Sequence, residues 1–267
     1  VQAGTGGAQF SNATIGIGYQ SLKALTTGAN NVSIGHTATS LLTTGEQNTV
    51  IGNAAFNDAD AGESQNVAIG TAAMGNVDEG SGGGGDQNVC IGVNSGLGGA
   101  FGSSTKYFNE NVAIGYQSMD GSGTESSIGN VFVGKSSGGG SWGTGGASYN
   151  VGIGMGALSA ALTDATYNVA IGKDAGSAVT TGDSNVAIGS GAGSAITTGY
   201  QNVFIGRDAG DATVAADGNV AVGYLALTAA SHADADRNTA IGVGSGQSIT
   251  QGNQNTAIGG YAMGEQA

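Results

Sequence analysis

Proline is absent from this chain of 267 residues, cysteine occurs once, and only 9% of residues are charged. Soluble domains carry roughly 5% proline and about 25% charged residues, so this is not the surface of an ordinary globular domain. The single thiol, Cys90, excludes an intrachain disulfide framework. Six Lys and Arg stand against nineteen Asp and Glu, a formal charge of −13. That sign repels nucleic acid and anionic membrane surfaces, and neither is an expected partner. No apolar run reaches the ~20 residues of a spanning helix and no basic-then-apolar signal segment opens the chain, so membrane insertion is not expected. A first residue that is Val1 rather than Met fits a piece of a longer protein.

Glycine, in contrast, is abundant, at 54 residues. Collagen would need glycine at every third position with plentiful proline, and a disordered chain would lack the Val and Ile that recur here at fixed places. The glycines therefore mark periodic turns. Segments 168–184 (NVAIGKDAGSAVTTGDS), 185–201 (NVAIGSGAGSAITTGYQ) and 202–218 (NVFIGRDAGDATVAADG) follow one another directly at 17 residues each. The first position of this unit recurs fourteen times, from Thr14 and Asn31 to Asn255, and is Asn in thirteen copies. Successive starts are 17 to 23 residues apart. The strand is fixed and the connecting loop varies.

Within the unit, position two is Ile, Val or Thr and position four is Ile or Val, the period of a β-strand with one apolar face. Position five is glycine in all fourteen copies, as a turn without a Cβ requires, and position eight is always Ala or Ser. One unit therefore makes one coil. Stacked coils bond along a common axis at about 4.8 Å each, and none could bury its apolar residues alone. The expected fold is an all-β parallel β-solenoid of about fourteen coils on a 17-residue repeat, with 1–13 as a lead-in and 14–267 as one domain. The asparagines are expected to form a ladder of side-chain amides along the axis.

Positions two and four are expected to fill each coil's own core. Position three then faces outward as a small apolar stripe that includes Ala68, Cys90, Ala113, Phe132, Ala170, Ala187, Phe204, Ala221, Ala240 and Ala257. An uncharged outward stripe points to packing against other chains, two further copies in a side-by-side homotrimer. Longer loops between 75 and 149 carry Phe101, Lys106, Tyr107, Phe108, Trp142 and Tyr149. Insertions on a solenoid usually emerge on one face, so these six are candidates for contact with a host cell-surface glycan or protein.

Runs such as NVAIGYQSM, LTTGEQNTVIGNAAF and ITTGYQNVFIG resemble the head repeats of trimeric autotransporter adhesins and, more closely, similar repeats in bacteriophage tail-fibre proteins. The resemblance spans nearly the whole chain. It implies a parallel β-roll, three chains side by side, and a role in reaching or gripping a host surface. A phage tail fibre in the virion is the first expectation, a bacterial surface adhesin head the second, and an ice-binding solenoid the third.

Enzymatic chemistry is not expected, and neither is a cofactor or metal. Segment 129–136 (GNVFVGKS) matches a phosphate-cradling loop by letter, but it falls in register with the neighbouring repeat strands and a glycine-rich run follows it. His36 and His232 lack a repeated partner and read as exposed histidines. Asp58, Asp60, Glu63, Asp234 and Asp236 fit no standard calcium loop and read as solvated acids. Paired threonines at 26–27, 43–44, 180–181 and 197–198 suggest an ice-ordering array, but the loops between Asn66 and Asn168 interrupt it.

Overall fold

The computed structural model describes residues 13–60, 62–77, 84–98, 106–122, 125–142, 145–230 and 234–264. They form an all-β, parallel β-solenoid of about twelve turns. Fourteen three-residue strands, from Ile15–Ile17 to Thr256–Ile258, make one parallel sheet in which each pairs with the next repeat strand along the chain. The register is uniform: Val169 lies beside Val186, Val186 beside Val203 and Val203 beside Val220. A two-stranded sheet, Phe108–Asn109 beside Ser127–Ile128, is added where the loops lengthen. Among the described residues no helix is long and apolar enough to cross a membrane.

The asparagine ladder explains why position one is so constrained. The Asn168 Oδ1 accepts both the backbone N–H of Asn185, at 3.0 Å, and its Nδ2, at 3.1 Å. The same Asn185 Nδ2 donates to the Gly199 carbonyl at 2.8 Å and so closes its own turn. The N–H to Oδ1 link runs without a break from Asn48 to Asn255, with the Nδ2 bonds beside it in most turns, and at the amino end the Thr14 hydroxyl accepts the Asn31 N–H. Aspartate could not donate, and glutamine is one methylene too long for the same geometry. These amides are buried from Asn31 to Asn238, where each lost partner would cost about 1–3 kcal/mol.

The corner glycines meet two demands at once. Gly189 has φ +132°, and a Cβ there would lie 2.5 Å from the Gly206 carbonyl oxygen of the next turn. Position eight then turns inward, as the requirement for Ala or Ser anticipates. Where it is serine, the hydroxyl donates to the position-three carbonyl of the next strand, as from Ser118 to Phe132 at 3.0 Å and from Ser137 to Gly152 at 2.8 Å.

The two faces of the strand are reversed from the sequence expectation. Position three is the interior: Ala68, Cys90, Ala113, Phe132, Ala170, Ala187, Phe204, Ala221, Ala240 and Ala257 are all buried inside their own chain. They cannot form an intermolecular stripe. Positions two and four point outward, and Ile51, Ile91, Ile114, Ile153, Ile171, Ile205 and Ile241 are exposed. The physical reason is width. A turn closed by so few residues leaves an interior only wide enough for a small residue on the strand and whatever its opposite wall supplies.

That opposite wall is position nine, and the two positions are matched in volume. Phe132 faces Gly138, Phe204 faces Gly210 and Cys90 faces Gly96, whereas Ala68 is matched by Met74, Ala113 by Met119 and Gly152 by Leu158. A Cβ on Gly138 would come within 2.7 Å of the Phe132 ring. Where both positions are small, as with Ala187 and Gly193, Ile196 fills the space from further round the turn. The interior is therefore close-packed despite its small residues.

This matching predicts the outcome of a double-mutant cycle read by denaturant unfolding. Phe132→Ala should cost about 3–5 kcal/mol through the cavity it leaves. Gly138→Met alone should cost roughly 1–3 kcal/mol by overpacking. Combined, they reproduce the Ala113 and Met119 pairing and should recover at least half of the Phe132→Ala loss. Simple additivity would refute the volume match.

Candidate functional surface

Every strand contributes two outward side chains to a face without a single charged residue, built of Val, Ile and Thr alone at positions two and four. The parallel register stacks them into continuous columns. Fourteen three-residue strands at ~4.8 Å make a strip about 62 Å long and about 10 Å wide, roughly 600 Å² in area. Monomers rarely show contiguous apolar patches above ~300–600 Å². Each partner in a standard protein interface contributes about 800 Å².

The loop residues divide into two groups. Phe108 is buried in the added two-stranded sheet, and Trp142 is buried with its ring edge-on to Phe132 at 6.0 Å and its Nε1 donating to the Gly138 carbonyl. Those two belong to the core, since large rings dropped into a thin turn find their burial there, and they are not surface-binding groups. Tyr107 and Tyr149 are exposed, and Lys106 pairs with Glu125. Tyr149 stacks on Tyr167 at 5.3 Å with the rings 7° from parallel. Phe101 lies outside the described residues. Tyr167 was absent from the sequence-based candidates, although its place just before Asn168 matches that of Tyr149 before Asn150. The structure thus brings Tyr149 and Tyr167 together and separates them from Phe108 and Trp142.

Other sequence candidates have structural partners. Within the GNVFVGKS segment, Val131–Val133 is a strand of the main sheet, and Lys135 lies over the Tyr116 ring at 6.0 Å. His36 stacks on Tyr19 at 5.2 Å, and His232 lies outside the described residues. The threonine hydroxyls bond along the axis, Thr26 to the Thr43 carbonyl, Thr43 to that of Asp60, Thr180 to that of Thr197 and Thr197 to that of Val214. Hydroxyls used in this way hold turns together rather than presenting a free array to water. Asp236 accepts the Asp217 N–H at 2.8 Å, and Asp58 accepts from Asn57. Glu63 is buried, with its main-chain carbonyl accepting from Asn48. Among the described residues no group of three His, Cys, Asp or Glu is placed to hold a metal ion.

One column that the sequence reading did not single out is acidic or polar, three residues before the strand. Asp86 accepts the Ser64 N–H at 2.7 Å, Asp183 the Thr166 N–H and Asp217 the Tyr200 N–H at 2.9 Å. Its signal was available in the Asp or Ser that recurs two residues before the asparagine. Comparison with protein-family models, curated proteins and solved structures returned no match for the chain.

Two thiol and carboxyl predictions follow from burial. Desolvation pushes the Cys90 thiol far above its ordinary range, against a smaller opposing hydrogen bond with the Ala113 backbone. Native protein should therefore resist a thiol reagent that labels one cysteine per chain in denaturant; rapid native labelling would contradict the inward face. Asp120 has Oδ1 buried without a hydrogen-bond partner, and its carboxyl is raised by desolvation, partly offset by a backbone hydrogen bond. A raised folded-state value means stability is lost as pH rises from the ordinary carboxylate range through the folded value. Asp120→Asn should raise Tm at pH 7, and the gain should shrink below the ordinary carboxylate range; an equal gain at both would exclude ionisation as the cause.

Proposed function

We propose that this chain is a structural fibre segment, a rigid rod of fourteen coils on a 17-residue unit that packs side by side with two further copies. Its setting is a phage tail fibre, where such a rod supplies reach and contact with a host surface. The observation that carries this reading is the uncharged Val and Ile strip that runs the length of the sheet and faces away from the chain's own core. A chain of formal charge −13 repels its own copies over most of its surface, and this face is where copies approach without that opposition. The resemblance of the repeats to tail-fibre repeats supports the setting. Tyr107, Tyr149 and Tyr167, exposed beside the longer loops, are among the exposed aromatic groups that can make host contact.

The homotrimer now rests on the Val and Ile columns rather than on the alanine stripe. Burying two side chains of this type per turn adds up quickly at roughly 25 cal/mol per Å² of apolar area, although association costs offset much of it. Sedimentation at native pH should give a trimer. Ile171→Asp combined with Ile205→Asp should give a monomer with an unchanged far-ultraviolet circular dichroism spectrum. A wild-type monomer, or a variant that stays trimeric, would overturn the assembly.

A further inference from the structure

The residue just before each ladder asparagine belongs to a column of its own on the amino side of the strands. Tyr149, Tyr167, Ser184 and Gln201 occupy four successive turns of it with nearly the same backbone, φ +58° to +60°. Their side chains therefore leave the rod in one direction and meet the neighbour one turn away. Lower in the column glutamines do this as amides: the Gln65 Nε2 donates to the Gln47 Oε1 at 3.3 Å, and the Gln87 Nε2 to the Gln65 Oε1 at 2.9 Å. The tyrosines do it as rings, Tyr149 on Tyr167 at 5.3 Å with the planes 7° apart. On its other side Tyr149 lies over Gly129, where a Cβ would come within 2.9 Å of the ring. The stack stops at Tyr167. Ser184 follows it, with a side chain too short to cover a ring, and Tyr167 is left 61% exposed. The next long side chain in the column is Gln201, two turns beyond Tyr167 and so about 9.6 Å along the axis. One member of the column is missing, and the gap is open to a guest.

Width, polarity and charge define that guest. A flat ring makes contact at about 3.5–4 Å on each face and stays loose in a gap of two turns. A saturated ring is thicker by the C–H bonds on both faces, and those C–H groups suit the negative face of an aromatic ring. The rim of the gap is polar, with the Ser184 hydroxyl, the Gln201 amide and the Asp183 carboxylate. The Asp183 Oδ1 accepts the Thr166 N–H at 2.5 Å and the Thr166 hydroxyl at 3.0 Å, which holds the carboxylate in place and offers its second oxygen to a hydroxyl donor. A formal charge of −13, part of it on this same border, opposes an anionic guest. We infer that Tyr167 and Ser184 form a subsite for one neutral pyranose ring. The sugar stacks on the open face of Tyr167, which Tyr149 backs from the other side, and its hydroxyls bond to Asp183, Ser184 and Gln201. This inference rests on the reading of the rod as a host-contacting fibre and names the chemistry of one contact, a neutral hexose unit of a surface glycan.

Fluorine NMR of the whole chain with fluorotyrosine incorporated reads this site directly, the Tyr167 resonance being assigned by its loss in Tyr167→Phe. The probes are the methyl glycosides of glucose, galactose, mannose and N-acetylglucosamine, with indole as the flat control. At least one glycoside should shift the Tyr167 resonance saturably, and at lower concentration than indole. Two variants locate the guest by saturation transfer to that glycoside. Ser184→Tyr extends the stack into the gap and Tyr167→Leu removes its wall, and each should weaken binding roughly tenfold, the scale of one lost aromatic contact. Asp183→Asn keeps an acceptor for Thr166 and should weaken binding by a smaller factor. Binding that survives Ser184→Tyr would place the sugar elsewhere and overturn the subsite. Preference for indole would assign the open face to an aromatic side chain of a protein and overturn the saccharide. Sedimentation of the same samples separates this inference from the reading beneath it: a chain that assembles but responds to no glycoside refutes the subsite alone, whereas a monomer that binds the glycoside refutes the assembled fibre and leaves the subsite standing.

Discussion

A buried asparagine that accepts two hydrogen bonds from the turn above and closes its own turn with a third sets the rest of this structure. Because Oδ1 takes both N–H and Nδ2 of the next asparagine, every turn must begin at the same angular position. The strand that follows is then aligned, the corner glycine falls over the next corner glycine, and variation is confined to the far side of the turn. That is why loops of different lengths leave the ladder undisturbed. Val67 pairs with Val89 across a long loop as regularly as Val186 pairs with Val203 across a short one.

The repeat, the strand, the glycine corner and the asparagine ladder were legible in the sequence because each is an identity repeated at a fixed place. The sidedness of the strand was not. Hydrophobicity ranks Val and Ile above Ala, so a rule that puts the most apolar residues inside reverses the faces of a turn too narrow for them. Phe132 and Phe204 held the corrective signal. Each occurs with a glycine six residues on, Gly138 or Gly210, whereas Ala113 and Ala221 occur with Met119 and Leu227. That covariation of volume within one chain identifies position three as an inward position.

Backbone conformation was also hidden. The seventh and ninth positions of the unit, and the one before the asparagine, take positive φ whatever residue occupies them, as at Gln117, Leu227 and Tyr167. For residues other than glycine, each costs about 1–2 kcal/mol. Glycine, Asn or Asp occupies the seventh position at Asn94, Gly156, Asp174, Gly191, Asp208 and Gly244, a preference diluted by the other copies. Tolerance of such cost throughout the rod shows how strongly the axial hydrogen bonds constrain each turn. Among the loops, composition alone could not separate Phe108 and Trp142, which enter the interior, from Tyr107 and Tyr149, which remain outside.

The direction of the hydrogen bonds has a mechanical consequence. Both the strand ladder and the asparagine ladder point along the rod, so a pull on its two ends loads the turns in series: every interface carries the full force and the weakest yields first. A lone solenoid under such tension would peel open like a spring. A bundle glued along the Val and Ile face would resist it differently, because those side contacts are sheared over the full length of the rod and share the load in parallel.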